Sequence, residues 1–248
     1  MRRLFLKGLL EDVVTIMGDD AQHLMYAMRA KPGDEVILVD DTGAVGRMEL
    51  TGFTADSVTM RLVERLEADT EPPIDLVLAQ CLPKGDKLEL VIQKAVELGA
   101  VAVQPLASRN CVVRYDAKKA AAKQKRWQKI AEEAAKQCGR TRVPEVLPVQ
   151  PLADWLKEPK EPKEGALLFC YENEEQQPIK AALRALPEDV RRITVLIGPE
   201  GGFSLPEAAA ITEAGGQSVT LGPRILRAET AAIAGLSIVQ FEKGDLGS

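Results

Sequence analysis

A change of rhythm at the paired prolines Pro72-Pro73 divides this chain and limits what each part can fold into. After them, apolar runs at residues 74–81, 101–106, 166–171, 193–197 and 218–221 alternate with helical patterns at 86–98, 178–186, 206–214 and 229–242. Strands separated by helices pair in parallel, because the connection that returns the chain to the same edge is a helix laid on one face. Residues 72–248 are therefore predicted to form an α/β domain on a parallel sheet. Before the prolines the pattern is short and alternating, at residues 35–39, 46–50 and 57–63, with turn signals at 31–34 and 41–43. Residues 1–71 read as a small β-barrel interrupted by one helix at 19–30, whose apolar stripe is Leu24, Ala27 and Met28. Residues 149–163, rich in Pro, Lys and Glu, read as a surface connection. There is no internal repeat.

Composition excludes several kinds of chemistry. The chain has 248 residues, 46% hydrophobic, enough for real cores in one large or two small domains. No apolar run approaches the roughly 18 residues needed to span a bilayer, and residues 1–7 lack the apolar stretch of a signal peptide, so a cytoplasmic protein is expected. Cys81, Cys111, Cys138 and Cys170 form neither a CxxC pair nor a set with histidines, which predicts buried thiols and no metal site. His23 is the single histidine and lies in an amphipathic stretch, so a Ser/His/Asp triad has no imidazole to use. Any catalysis must rest on Arg, Lys, Glu, Asp, backbone groups or the substrate.

Charge is distributed unevenly. Residues 109–142 hold eleven Lys and Arg against three Asp and Glu, a net +8 that leaves −13 for the rest of a chain of net charge −5. Within that stretch Asp116 can cap a helix that Gly139 ends, with Trp127, Ile130, Ala131, Ala134 and Cys138 on one face. Its lysines and Arg126 mostly take the other faces, either as a solvated helix surface or as phosphate contacts.

Two glycine turns near the C-terminus are the candidate ligand site. Residues 197–204 (IGPEGGFS) and 221–227 (LGPRILR) each follow a short apolar run and lead into a helical pattern. Gly198, Gly201 and Gly202 allow close backbone approach and Pro199 fixes one bend. Neither GxxxxGK[ST] nor GxGxxG is present, so the usual phosphate cradles are disfavoured. The second turn delivers Arg227, Glu229 and Thr230 at the start of a helix.

These two turns, with Leu82-Pro83-Lys84-Gly85-Asp86-Lys87, residues 93–99 (QKAVELG), Arg126-Trp127, residues 137–144, Arg3-Leu4-Phe5 and Pro32-Gly33-Asp34, closely resemble the RsmE family of bacterial 16S ribosomal RNA uridine-N3 methyltransferases. The resemblance covers nearly the whole chain. It implies a PUA-like, RNA-holding barrel over residues 1–71 and, over 72–248, a SPOUT methyltransferase domain whose backbone forms a trefoil knot. It further implies a cytoplasmic homodimer, S-adenosylmethionine as cofactor, and 16S rRNA within the 30S subunit as partner. Carried over by position, the cofactor loops are Cys170, Tyr171 and Glu172; Ile197, Gly198, Pro199, Gly201 and Gly202; and Leu221, Gly222, Ile225 and Leu226.

The chemistry suits the residues available. A sulfonium methyl is already electrophilic, so the enzyme must align uracil N3 with it and favour the N3 anion. Arg227 is the candidate cation for that anion, and Glu200 or Glu229 the candidate positioning group or base. Phosphate contact falls to Arg2, Arg3, Lys7, Lys84, Lys87, Arg109, Lys118, Lys119, Lys123 and Arg126. An aromatic content of 4% argues against a broad stacking platform and for a folded RNA or an assembled subunit. The acidic chain and the charged, proline-rich residues 158–164 depart from the family pattern without touching its motifs. Two rivals stand beside this reading: methylation of a ribose 2′-hydroxyl, and a catalytically silent RNA-binding assembly factor.

Overall fold

The computed structural model describes residues 2–68, 70–158 and 165–247, so the end of the 149–163 connection and most of the 158–164 run lie outside the described residues. The chain divides into two compact units, Met1–Glu71 with Ala135–Arg142, and Pro72–Ala134 with Val143–Ser248.

The first unit is a five-stranded sheet. Its strands are β1 (Arg2–Phe5), β2 (Val13–Met17), β3 (Glu35–Val39), β4 (Val45–Phe53) and β5 (Ser57–Leu66), in the order β1-β3-β4-β5-β2. Irregularities in the β4–β5 register, at Arg47/Met48 and Leu50/Gly52, bend this sheet. It buries both faces of β3: Val36 and Leu38 join one apolar cluster, Ile37 and Val39 another. Strands β1 and β2 escape sequence reading because each is short and neither alternates: β1 opens on two arginines, and in β2 the apolar Val13 and Met17 face solvent. The predicted helix at 19–30 is shorter, α1 (Asp19–Gln22) running into a π-helical turn over His23–Ala27. That wider turn shifts the face, so Ala21 and Leu24 are buried while Ala27 is exposed. His23 is exposed.

An ion pair ties Ala135–Arg142 into this unit. The Arg140 guanidinium, 4% exposed, donates to the Glu71 carboxylate, which also accepts from Thr141 N at 2.9 Å and Arg142 N at 3.1 Å. Burial pushes the Glu71 carboxyl up, but Arg140 and these N–H donors outweigh it and hold the group below its ordinary value.

The second unit is a parallel sheet of β6 (Asp75–Cys81), β7 (Ala100–Ala107), β8 (Glu145–Val146), β9 (Gln150–Pro151), β10 (Ala166–Cys170), β11 (Arg192–Ile197) and β12 (Gly216–Val219). The order is β12-β10-β11-β6-β7-β8, with β9 also paired to β7. Its helices are α2 (Lys87–Glu97), α3 (Ala117–Cys138), α4 (Leu152–Trp155), α5 (Ile179–Ala185), α6 (Leu205–Glu213) and α7 (Ala228–Lys243). Apart from Asp75, every residue of β6 is buried, as expected for a central strand covered on both faces. Asp116 caps α3 through Oδ1, which accepts from Lys119 N at 2.7 Å. After edge strand β12 the chain turns back, and α7 packs on β6, β11, α2 and α5. The parallel α/β expectation holds for this unit, and the 149–163 connection contains the short elements β9 and α4.

Replacing Glu71 with Gln is expected to lower the unfolding free energy by roughly 2–4 kcal/mol, the order found when one partner of a mostly buried pair is removed. Because the folded pKa is depressed, Glu71 contributes fully above its unfolded pKa of about 4.3 and loses that contribution as pH falls through the folded value. Urea denaturation of both proteins at neutral pH and under acid checks this; equal midpoints at neutral pH would count against the pair.

Candidate active site

The site begins with strand register. Cys170, the last residue of β10, pairs with Ile197 at the end of β11 on one side and with Val219 at the end of β12 on the other. Three parallel strands therefore finish together, and the loops after them emerge side by side at the carboxyl edge, where open α/β sheets bind ligands. One groove collects all twelve predicted cofactor positions: Cys170, Tyr171 and Glu172; Ile197, Gly198, Pro199, Gly201 and Gly202; Leu221, Gly222, Ile225 and Leu226. Glu200 and Arg227 also line it. Burial pushes the Cys170 thiol up to about 12, so it is a neutral wall and not a nucleophile.

The first glycine loop is held from below and from the side. Gly202 N donates to Pro199 O at 2.9 Å, closing a turn with Gly202 at φ 60. At φ 60 this position needs glycine for its conformation; a side chain there would also displace the exposed Glu172 carboxylate, which can swing aside. Gly201 differs: a Cβ there would meet Asn110 Cβ at 3.1 Å. Its bareness admits Asn110, whose Nδ2 donates to Gly201 O at 2.9 Å and Gly202 O at 3.2 Å. Below, the fully buried Gln80 donates Nε2 to Gly198 O at 3.4 Å. Glu207 in the first turn of α6 accepts from Ser204 N at 2.9 Å and, through its other oxygen, from Arg109 N at 2.7 Å.

The second loop is anchored at Thr220. Its N–H and C=O bond Gln177 O at 2.9 Å and Ile179 N at 3.0 Å, and its hydroxyl accepts from Gly222 N at 3.2 Å. Gly222 has φ 119 and open space where a side chain would point. Sequence reasoning missed Asn110, Gln80, Glu207 and Thr220. Only Glu207 carries a readable signal, the Ser-x-x-Glu spacing of a capping box.

The candidate acids and cation part company. Arg227 is exposed, sits at the N-cap of α7, and makes no ion pair among the described residues. Glu229, in the first turn of α7, is outside the groove lining; it pairs with the Lys87 ammonium at 3.3 Å. Glu200 faces the same ammonium at 3.2 Å and accepts from Lys84 N at 3.0 Å. Burial pushes the Glu200 carboxyl up, but the Lys84 N–H and then Lys87 hold it below its ordinary value. Both carboxylates are thus counter-ions to Lys87, which suits positioning and leaves neither as a free base.

The predicted phosphate contacts are just as divided. In the first unit Arg2 and Lys7 are exposed, whereas Arg3 is half-buried and donates Nη1 to Arg140 O at 2.9 Å. In the second, Lys84, Arg109 and Lys118 are exposed, and Lys119 lies 5.4 Å from the Tyr115 ring centroid. Lys123 pairs with Asp86 at 3.1 Å and Glu89 at 3.6 Å, and Arg126 with Glu89 at 2.7 Å. Those two cations fasten α3 to α2 and its N-cap. The free basic row on α3 is Lys118, Lys125 and Lys129, all exposed at i, i+7 and i+11.

An RNA methyltransferase domain family matches residues 70–240. Ribosomal RNA small subunit methyltransferase E of Bacillus subtilis is 36% identical over 98% of this chain and 97% of its own length. The chain belongs to that family. The Mycobacterium bovis member is 31% identical over 92% of this chain and 86% of its own. A crystal structure of the Neisseria gonorrhoeae member, bound to S-adenosyl methionine, superposes with a TM-score of 0.88 at 33% identity over 99% of both chains.

Gly202→Ala tests the first loop without reference to any ligand. The left-handed backbone at Gly202 predicts a loss of about 1–3 kcal/mol in unfolding free energy, measured by urea denaturation. A loss indistinguishable from zero would mean that the turn relaxes freely.

Proposed function

We propose that this protein transfers the methyl group of S-adenosylmethionine to N3 of a uridine in 16S ribosomal RNA of the small subunit. The observation that carries the reading is the convergence of three strand-end loops on one groove, with Arg227 free at its mouth, in a chain of the small-subunit methyltransferase E family.

The groove suits the cofactor's chemistry. Apolar Ile197 and Leu226 and backbone at Gly198 and Gly222 can border a flat base, while the exposed Glu172 carboxylate can accept from hydroxyls or face a cation. When bound, S-adenosylmethionine supplies an electrophilic methyl group. The protein's part is to orient the uracil and favour its N3 anion, and Arg227 can do the latter with a guanidinium near a uracil carbonyl oxygen. Glu200 and Glu229, paired with Lys87, position the walls.

RNA recognition would use free cations: Arg2 and Lys7 on the barrel-like unit, and Lys84, Arg109 and the Lys118–Lys125–Lys129 row on the other. With few aromatics, they suit the phosphates of a folded RNA, and the 30S subunit is the expected setting. Residues 1–71 would be the RNA-holding PUA-like domain and residues 72–248 the SPOUT domain. The return of α7 from edge strand β12 onto β11 and β6 is compatible with the trefoil knot. Exposed Ile225 and Phe241 at the groove's lip, 90% and 66% accessible, support a homodimer that covers them.

Calorimetric titration with S-adenosylmethionine and methylation of 30S subunits against naked RNA test the enzyme; absence of cofactor binding would favour an assembly factor. Mass spectrometry separates base from ribose methylation, and a ribose product would overturn the N3 assignment. Arg227→Ala is expected to lower kcat by about 10²-fold or more, with cofactor affinity within about twofold. Unchanged turnover would remove Arg227 from the chemistry. Changing Lys118, Lys125 and Lys129 together to Gln should weaken RNA binding and reduce the salt slope by about 2–3; an unaltered slope would return the row to ordinary solvated surface.

A further inference from the structure

Lys87, one of the cations expected to contact phosphate, is turned toward the protein. It is the first residue of α2, and its ammonium lies between two carboxylates from different elements, Glu200 Oε1 at 3.2 Å and Glu229 Oε2 at 3.3 Å. Glu200 belongs to the first groove loop, and Glu229 to the first turn of α7, two residues after Arg227. The arrangement is more than a surface pair. Glu229 Oε2 is buried and accepts no hydrogen bond from the described residues, so the Lys87 charge is the group that balances it. The same β6–α2 connection also gives its Lys84 N–H to both Glu200 oxygens, at 3.0 and 3.3 Å. One short segment thereby grips the first loop twice and the start of α7 once.

We propose that Lys87 is a positioning residue, a single ammonium that locks the first groove loop to the N-terminus of α7 and so fixes where Arg227 stands relative to the cofactor walls. The inference rests on the methyl-transfer reading above and deepens it. Removing the charge leaves the buried Glu229 Oε2 with no partner among the described residues, so the carboxylate swings outward toward water, taking the first turn of α7 with it. Glu200 keeps its Lys84 N–H, so the loop loosens less than the helix start does. Misplacing Arg227 by an ångström costs turnover more than it costs cofactor binding.

The test uses the full chain with Lys87→Met and Lys87→Arg. In Lys87→Met, kcat for methylation of 30S subunits should fall roughly 10–100-fold, while S-adenosylmethionine affinity falls less. Lys87→Arg, which can still bridge two carboxylates, should recover most of kcat. The salt slope of RNA binding should not change, because this cation faces protein and not phosphate. Hydrogen exchange read without any ligand should show amides after Arg227 at the start of α7 losing protection in Lys87→Met. Wild-type exchange there would overturn the clamp, as would a salt slope reduced by about 1 with kcat/KM at low salt intact. Should Lys87→Met fail to fold, Lys87→Met/Glu229→Gln removes the orphaned charge; recovered folding with kcat still depressed supports the clamp, and recovered kcat overturns it. If the wild-type protein transfers no methyl group, the methyl-transfer reading fails, and the exchange measurement still decides whether the clamp exists.

Discussion

The site depends on the parallel register that sets Cys170 between Ile197 and Val219. Backbone hydrogen bonds between parallel strands are evenly spaced, and a one-residue slip would turn each strand's buried side chains to the opposite face. With Leu168 and Phe169, Val195 and Leu196, and Val219 all committed to the core, the three strand ends cannot move independently. Their loops inherit that alignment. The groove is therefore a product of the sheet, and the loop residues refine a place that the strands have already chosen.

Refinement comes mostly from hydrogen bonds made around and behind the groove wall. Asn110 supports the first loop through the carbonyls of Gly201 and Gly202, Gln80 reaches Gly198 from within the sheet, and Thr220 ties the second loop to residues 177–179. Each bond satisfies a backbone carbonyl or amide that a tight glycine turn leaves without a partner. Preorganised backbone of this kind loses little freedom when a ligand arrives.

Electrostatics divides the basic residues into two populations. Arg140, Arg3, Lys123, Arg126 and Lys87 face carboxylates or carbonyls of the chain itself, and their charge holds elements together. Lys118, Lys125 and Lys129 point outward from α3. The +8 excess of residues 109–142 thus overstates the charge that a polyanion can meet, because acids elsewhere in the chain, Asp86 at the N-cap of α2, Glu89 on α2 and Glu71, neutralise part of it.

Local pattern alone determined the α/β rhythm after Pro73, the caps of α3, and the two glycine turns, since helix and strand periods and the demands of tight turns are written in neighbouring residues. It could not reveal that β12 lies at the edge beyond β10, nor that Asn110 fills the space beside Gly201, because both pairings join distant segments. The same limit hid the intramolecular partners of Lys87 and Arg3. A cation's role is set by what lies within about 4 Å of it, and for these two that neighbour is more than a hundred residues away in the chain. Sequence thus determined which groups could do the chemistry. Only the tertiary structure decided which charges are free to do it, because charge neutralisation depends on distance in space and not along the chain.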